Sequence, residues 1–389
     1  MARPIILCFI SFYLPGYRSG GPVRTIANFV DQLGEEFDIR IVCRDRDMSD
    51  TEPYSNVAVN AWNTLGKAQV FYASEKMVNL IGIRRLLRET PHDVLYLNSF
   101  FSFRFSILPL LVRWLRLAPL KTCVIAPRGE FSQAALTIKA RKKCLFLLLT
   151  KGLWIYRGLH WQASSEFELA DIRRELGGLV KKISIAPDLP PALDSIYDEA
   201  SSQRAGPLRI IFLSRISPMK NLDFLLLVLA KVTADVELAI YGPREDATYW
   251  KQCQRLLEQL PKNISVSVHD QVPHERVRSI FAEYDLFAFP TRGENFGHVI
   301  LESLSAGTPV LLSDQTPWLP RSQNGLEVLK LEEGLWVARL NEWAKYSDDL
   351  LLEKRHAAFA YARDYLSTSQ SLAQNRKLFV SIPKLEVTK

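Results

Sequence analysis

Glu294 and Glu302 are two carboxylates with seven residues between them, in a run that reads Pro290-Thr291-Arg292-Gly293-Glu294-Asn295-Phe296-Gly297-His298 and continues to Glu302. The apolar stretch Leu286 to Phe289 reads as a strand stopped by Pro290, and Val299 to Ala306 has helical apolar spacing ended by Gly307 and Pro309. Strand, glycine loop and helix in that order aim free backbone N–H groups at the turn, which suits an anion such as a phosphate. Glu302 falls more than one helical turn past Gly297, so the carboxylates cannot form a close acid pair. They are expected to hold two parts of one extended ligand. The plainer reading is that Glu294 complements the helix dipole and Glu302 is a solvated surface acid.

Two fixed cations occupy a second loop of the same kind. Strand Leu208 to Leu213 runs into Ser214-Arg215-Ile216-Ser217-Pro218-Met219-Lys220-Asn221, and a helix starts at Leu222. Near the N-terminus the strand Ile5 to Phe12 leads to Ser19-Gly20-Gly21-Pro22 and a helix from about Val23 to Leu33. This loop does not match G-x-G-x-x-G, but a backbone without side chains at Gly20 and Gly21 can approach a ligand closely. Strand Val124 to Ala126 opens into Pro127-Arg128-Gly129-Glu130-Phe131-Ser132. Arg128 offers a guanidinium fork suited to bidentate phosphate contact, and Glu130 is a further acid or base candidate.

The elements that must position these residues alternate between strand and helix, as in doubly wound sheets whose ligands bind at the carboxyl edge. At 389 residues the chain exceeds one ordinary core, so two domains are expected. The break falls where Pro187-Asp188-Leu189-Pro190-Pro191 leads into a polar run through Ser201, Ser202 and Gly206. The expected division is residues 1–186, a linker at 187–206, a second domain at 207–355, and a helical tail at 356–389. No internal repeat or low-complexity run appears.

Hydrophobic residues at 48% and charged residues at 23% describe a globular chain. A net charge of +7 points to an anionic partner, and the absence of any zinc-finger, homeodomain or RNP motif ranks nucleic acid last. Five scattered cysteines without a C-x-x-C pair fit a reducing cytoplasm and argue against a thiol metal site. Arg3 and the apolar run Ile5 to Leu14 imitate a signal peptide, but no small-x-small site follows, so a first strand is expected. No stretch of about 18 uncharged apolar residues predicts a membrane span. Two regions set cations among apolar residues: Arg104, Arg113, Arg116 and Lys121 on an expected helix over residues 100–121, and Lys139-Ala140-Arg141-Lys142-Lys143 before Cys144 to Leu149 and Trp154. They suit either an anionic membrane surface or a core whose long cations snorkel to water.

Glu294-Asn295-Phe296-Gly297 with Glu302 and Ala306-Gly307-Thr308-Pro309-Val310 resembles the E-x7-E signature of retaining, nucleotide-sugar-dependent family 4 glycosyltransferases. The run to Ser313-Asp314-Gln315-Thr316-Pro317-Trp318, and Pro127-Arg128-Gly129-Glu130-Phe131-Ser132, resemble the branch that builds cell-surface polysaccharides. The resemblance implies an α/β, GT-B fold, with two Rossmann-like doubly wound domains facing a cleft. It implies that Glu294 contacts the donor sugar, Glu302 holds the ribose hydroxyls, and Arg215 and Lys220 neutralise the donor diphosphate. Gly20 and Gly21 would face the donor phosphates and the acceptor, and the N–H groups around Asn295, Phe296, Gly297 and His298 would help bind the diphosphate. Metal is not needed on this reading, and the nucleotide diphosphate sugar is a co-substrate. Arg128 stands where many relatives carry a histidine, so a His-based acceptor site is in doubt, and Asp270 stands where many carry a glycine. Asp45 and Asp47 form the D-x-D that holds a metal in the other large glycosyltransferase fold, here between basic neighbours. The expected partners are a nucleotide-sugar donor, a saccharide or lipid-linked acceptor and an anionic membrane surface. The cytoplasm, extending to the inner face of its membrane, is the expected location. A glycosidase pair, a nucleotide-sugar epimerase and a non-catalytic basic membrane module remain as alternatives; the glycosidase would need its carboxyls about 5 to 10 Å apart across one bond.

Overall fold

A computed structural model describes residues 3–137, 140–191, 206–321 and 325–381. Its residues divide into two compact units, one of residues 1–190 and 370–389 and the other of residues 191–369.

Among the described residues eight strands form the sheet of the first unit, in the spatial order Trp62–Leu65, Ala68–Ala73, Asp38–Arg44, Ile5–Phe9, Val94–Asn98, Thr122–Ala126, His160–Ala163, Lys182–Ile185. Ile6, Leu7, Cys8 and Phe9 are wholly buried, as expected of a parallel strand covered on both faces. The pairing is parallel except at the edge, where Trp62–Leu65 and Ala68–Ala73 run antiparallel. Such an antiparallel partner needs only a tight turn, here at Gly66-Lys67.

Among the described residues the second unit has six strands, all parallel, in the order Ile264–His269, Val236–Tyr241, Leu208–Leu213, Leu286–Phe289, Val310–Ser313, Leu326–Leu329. In each sheet the first strand lies inside, and the direction of winding reverses beside it. The reversal falls between Ile5–Phe9 and Val94–Asn98 in one sheet, and between Leu208–Leu213 and Leu286–Phe289 in the other. Loops leaving the carboxyl ends of such strand pairs diverge to opposite faces and open a crevice where ligands bind.

Residues 187–190, expected to start a linker, pack into the first unit. Asp188 is buried, and the carbonyls of Leu189 and Pro190 accept from Asn28 and Gln32 at 2.7 and 2.6 Å. The rest of that linker, residues 192–205, lies outside the described residues. The helical tail is two helices, Asp348–Thr368 and Ser371–Ser381. The first belongs to the second unit, so the change of unit comes at residue 370 and not at the expected 356. The last helix is held in the first unit by Phe379 against Phe29 and Tyr96 and by an Arg376–Glu36 ion pair.

The helix expected over residues 100–121 is shorter. A wide turn at Phe103–Ile107, closed by the Ile107 N–H on the Ser102 carbonyl at 3.0 Å, leads into helix Leu108–Trp114. The second basic region forms helix Ala140–Gly152, with Lys139 outside the described residues. Among the described residues no helix is long and apolar enough to cross a membrane.

Candidate functional site

In the second unit the two loops flanking the reversal point are joined to each other. The Arg292 N–H donates to the Met219 carbonyl at 2.8 Å, the Thr291 hydroxyl donates to the same carbonyl at 3.1 Å, and the Asn221 amide donates to the Pro290 carbonyl at 2.8 Å. Asn221 takes a left-handed conformation (φ 63°) to close the cation loop before helix Leu222–Leu229. This stitching brings Lys220 to Glu294, and their ammonium and carboxylate are ion-paired. Burial drives the Lys220 pKa down, while the Glu294 carboxylate pushes it back up. The Lys220 nitrogen also lies 5.6 Å from the centre of the Phe289 ring, at the end of the neighbouring strand.

The helix His298–Ser305 opens at Gly297, whose φ of 80° and ψ of 64° are left-handed. A Cβ there would stand 2.7 Å from the Ile300 Cδ1, so the turn favours glycine on both counts. Phe296 is pinned behind it, its ring 5.6 Å from that of Trp318 and its carbonyl accepting from the Trp318 indole N–H. His298 is buried against Phe296, with ring centres 4.7 Å apart. Asn295 lies in the turn between Glu294 and Phe296. Glu302 sits on the first turns of the helix, with its Oε1 3.4 Å from the Nδ1 of His274.

Arg215 is half-exposed and pairs with Glu245 at 3.2 Å. Its loop is anchored to the neighbouring strand end, since the Ser214 N–H donates to Tyr241 at 3.0 Å and the Ile216 N–H to Pro243 at 2.9 Å. At the adjoining strand ends Tyr241 and His269 stack with ring centres 4.3 Å apart. Asp270, next along, is exposed and lies 3.6 Å from Arg244.

The structure therefore gathers Arg215, Lys220, Glu294 and the 295–298 turn at the carboxyl edge of one sheet, with Glu302 one step along the helix. Three participants were not singled out from the sequence: Glu245, His274 and Arg292. Arg292 fixes the joint between the loops, its Nε donating to Asn221 at 2.9 Å. Charged residues in loops that follow parallel strands were the signal available, and Glu245 and Arg292 both fit it.

The first unit carries Gly20, Gly21 and Arg128. Gly20 precedes helix Gly21–Leu33, and the upstream loop is shaped by Asp47, whose carboxylate accepts from the N–H groups of Tyr17 and Arg18 at 2.9 and 3.2 Å. Asp45, the other half of the D-x-D, is buried and paired with Arg46 at 2.9 Å. Both aspartates thus act within the fold.

The expectation of Arg128 as a free phosphate fork needs correction. Its side chain is 9% exposed, ion-paired to Asp188, and donates to Asn98 at 2.9 Å and to the Tyr96 hydroxyl at 2.5 Å. A guanidinium so enclosed is spent on the protein, because releasing it would strand the buried Asp188. The Tyr96 hydroxyl donates onward to Gln162 at 2.7 Å, whose amide reaches Asn375 at 3.2 Å, so the arginine ties the turn to the last helix. Glu130 is likewise structural: it accepts from the N–H groups of Phe100 and Phe101 and from the Ser99 hydroxyl, and burial raises its pKa.

Residues 196–363 match the family model described as glycosyl transferases group 1. D-inositol 3-phosphate glycosyltransferase of Xylanimonas cellulosilytica is 29% identical over 38% of this chain and 39% of its own length. The phosphatidylinositol N-acetylglucosaminyltransferase GPI3 subunit of Saccharomyces cerevisiae is 24% identical over 38% of this chain and 33% of its own. The chain thus matches well under half the length of these relatives. Among solved structures, Anabaena HepE in complex with UDP and glucose superposes with a TM-score of 0.71 at 14% identity, covering 98% of this chain and 100% of that one. WaaG, a glycosyltransferase involved in lipopolysaccharide biosynthesis, gives 0.65 at 14% identity, covering 97% and 99%. The chain has the GT-B glycosyltransferase fold of two parallel-sheet, Rossmann-like α/β domains, and residues 196–363 match the glycosyl transferases group 1 model.

Proposed function

We propose that this chain is a retaining glycosyltransferase of family 4 that moves a sugar from a nucleotide diphosphate donor to a hydroxyl of a saccharide or lipid-linked saccharide, in the synthesis of a surface polysaccharide. The observation that carries this reading is the Lys220–Glu294 ion pair at the reversal point of the second sheet, beside a helix N-terminus. In the reaction the bond from the anomeric carbon to the diphosphate breaks, the acceptor oxygen bonds to that carbon, and the acceptor hydroxyl's proton passes to the departing diphosphate oxygen. Charge grows on the departing diphosphate. Arg215, Lys220 and the N–H groups at residues 295–298 take up that charge, which makes a metal unnecessary. Glu294 contacts the transferred sugar and Glu302 the ribose hydroxyls, and in the first unit the backbone at Gly20 and Gly21 leaves room for a ligand to approach. Arg128 serves as a positioning residue for the Pro127–Gly129 turn.

The reading includes docking on an anionic membrane face. Leu145, Leu148, Leu153 and Trp154 are exposed beside Arg141, Lys142 and Lys151, a mixture that suits the headgroup region. The test is a thermal-shift panel of nucleoside diphosphates and their sugars without added metal, on wild type, Lys220→Ala and Glu302→Ala. One base is expected to stabilise the wild type and neither variant. If no nucleotide raises Tm at millimolar concentration, the transferase reading is overturned.

A further inference from the structure

Glu302 has a neighbour that the donor reading leaves without a task. His274 is the first residue of helix His274–Ala282, and its imidazole Nδ1 lies 3.4 Å from the Glu302 Oε1 on helix His298–Ser305. The two helices follow different strands of the sheet, so sequence spacing does not impose the contact.

Packing brings the pair together. Ile280 and Phe281 are buried in one core with Leu301 and Leu304, and the Thr308 hydroxyl, just past the second helix, donates to the Phe281 carbonyl at 2.6 Å. Pro273, with φ −57°, fixes the backbone where the first helix begins. The imidazole is therefore delivered to Glu302 by the frame of the unit. Its side chain is 37% exposed and that of Glu302 19%, so the carboxylate is held from one side and still reached by solvent.

A glutamate has several torsions to freeze before it can grip a pair of hydroxyls, and that ordering opposes binding. A carboxylate also has about four lone-pair directions, so an oxygen that accepts from an imidazole N–H can still accept from a hydroxyl. With its proton on Nδ1, His274 draws the carboxylate towards one orientation without exhausting its capacity as an acceptor.

We propose that His274 is a positioning residue for the ribose end of the donor site. It holds the Glu302 carboxylate in the orientation that receives the ribose hydroxyls, and so sets how strongly the protein prefers a ribonucleotide to one lacking them. The inference rests on the donor reading of Glu302.

The experiment titrates UDP, GDP and ADP, each beside its 2′,3′-dideoxy counterpart, into the full chain by calorimetry. For the base that binds, the wild type is expected to prefer the ribose form at least tenfold. His274→Ala is expected to reduce that preference to threefold or less by weakening the ribose form, with the dideoxy form bound within twofold of wild type. His274→Asn, whose amide N–H replaces that of Nδ1, is expected to keep fivefold or more. Glu302→Ala is expected to abolish the preference, and His274→Ala added to it to change nothing further, because the imidazole acts through the carboxylate. Four outcomes overturn the proposal: a full preference in His274→Ala, equal loss of the ribose and dideoxy forms, a further loss in the double variant, or a preference in His274→Asn no better than in His274→Ala. A wild type that binds nucleotides but ignores the hydroxyls overturns it too, and leaves the diphosphate contacts standing. If no nucleoside diphosphate binds the wild type, the donor reading falls and this inference with it.

Discussion

The ammonium of Lys220 and the carboxylate of Glu294 are ion-paired across 74 residues of sequence, and their side chains keep only 10% and 12% of their surface exposed. At that burial each group depends on the other. Lys220→Met leaves Glu294 charged in a place where water reaches it poorly, and is expected to cost about 3 kcal/mol of stability. Lys220→Met/Glu294→Gln is expected to cost less than the sum of its single changes. Urea denaturation of the cycle checks this, and single costs under about 0.5 kcal/mol would reduce the pair to a surface contact.

Two glycines in the second unit should differ in how much they tolerate. At Gly242 (φ 138°) an added Cβ would stand 1.9 Å from the Ser214 carbonyl oxygen, which is backbone and cannot swing away. At Gly297 the obstacle is the tip of Ile300, a side chain that can turn. Gly297→Ala is therefore expected to cost about 1 to 2 kcal/mol, mostly from its left-handed backbone. Gly242→Ala should cost more, and equal denaturation midpoints would contradict this geometry.

Arg128→Lys keeps the charge but loses the fork that reaches Asp188, Asn98 and Tyr96 together. It is expected to lower stability by about 2 kcal/mol, since part of a buried hydrogen-bonded charge network is left unsatisfied. Hydrogen exchange should show faster opening of helix Ser371–Ser381, which is linked to Arg128 through Tyr96, Gln162 and Asn375. Unchanged exchange in that helix would refute the linkage.

Burial holds the His92 pKa below its ordinary value, although its Nδ1 lies 2.7 Å from the Thr90 carbonyl, which favours the charged form. The unfolded chain then binds a proton near pH 6.5 that the folded chain refuses. Stability is full above pH 6.5 and is lost as pH falls towards the folded value. Glu130 and Glu168, raised by burial, act with the opposite sign from about pH 4.5 upward. The comparison is therefore wild type against His92→Asn in the same denaturation scans. The wild type should lose more stability between pH 7 and 5 than the variant, and parallel profiles would show that His92 titrates alike in the folded and unfolded states.

Much of the architecture was legible from local pattern. Leu286–Phe289 is a continuous apolar run and Leu208–Leu213 is one broken only by Arg209, each ended by a polar loop. Such features depend on residues a few positions apart. The order strand, polar loop, helix likewise marked Glu294, Lys220 and Arg215 without knowledge of where the loops meet. Missed features were those where local conformations compete, as at residues 100–121, where a wide turn at Phe103–Ile107 shortens the expected helix to Leu108–Trp114.

The sequence by itself determined the alternation of strands and helices, the charged loops at strand ends, and the glycine that begins helix His298–Ser305. Only the tertiary structure decided which charges meet. Strand order brings Lys220 beside Glu294, encloses Arg128 with Asp188 across 60 residues, and leaves the Arg44 Nε without a partner. The physical reason is that side-chain type and spacing fix local conformation, whereas the partner of a charge depends on which strands become neighbours. That choice is made by burial of the whole sheet, and it turned Arg128 from a free phosphate ligand into part of the framework.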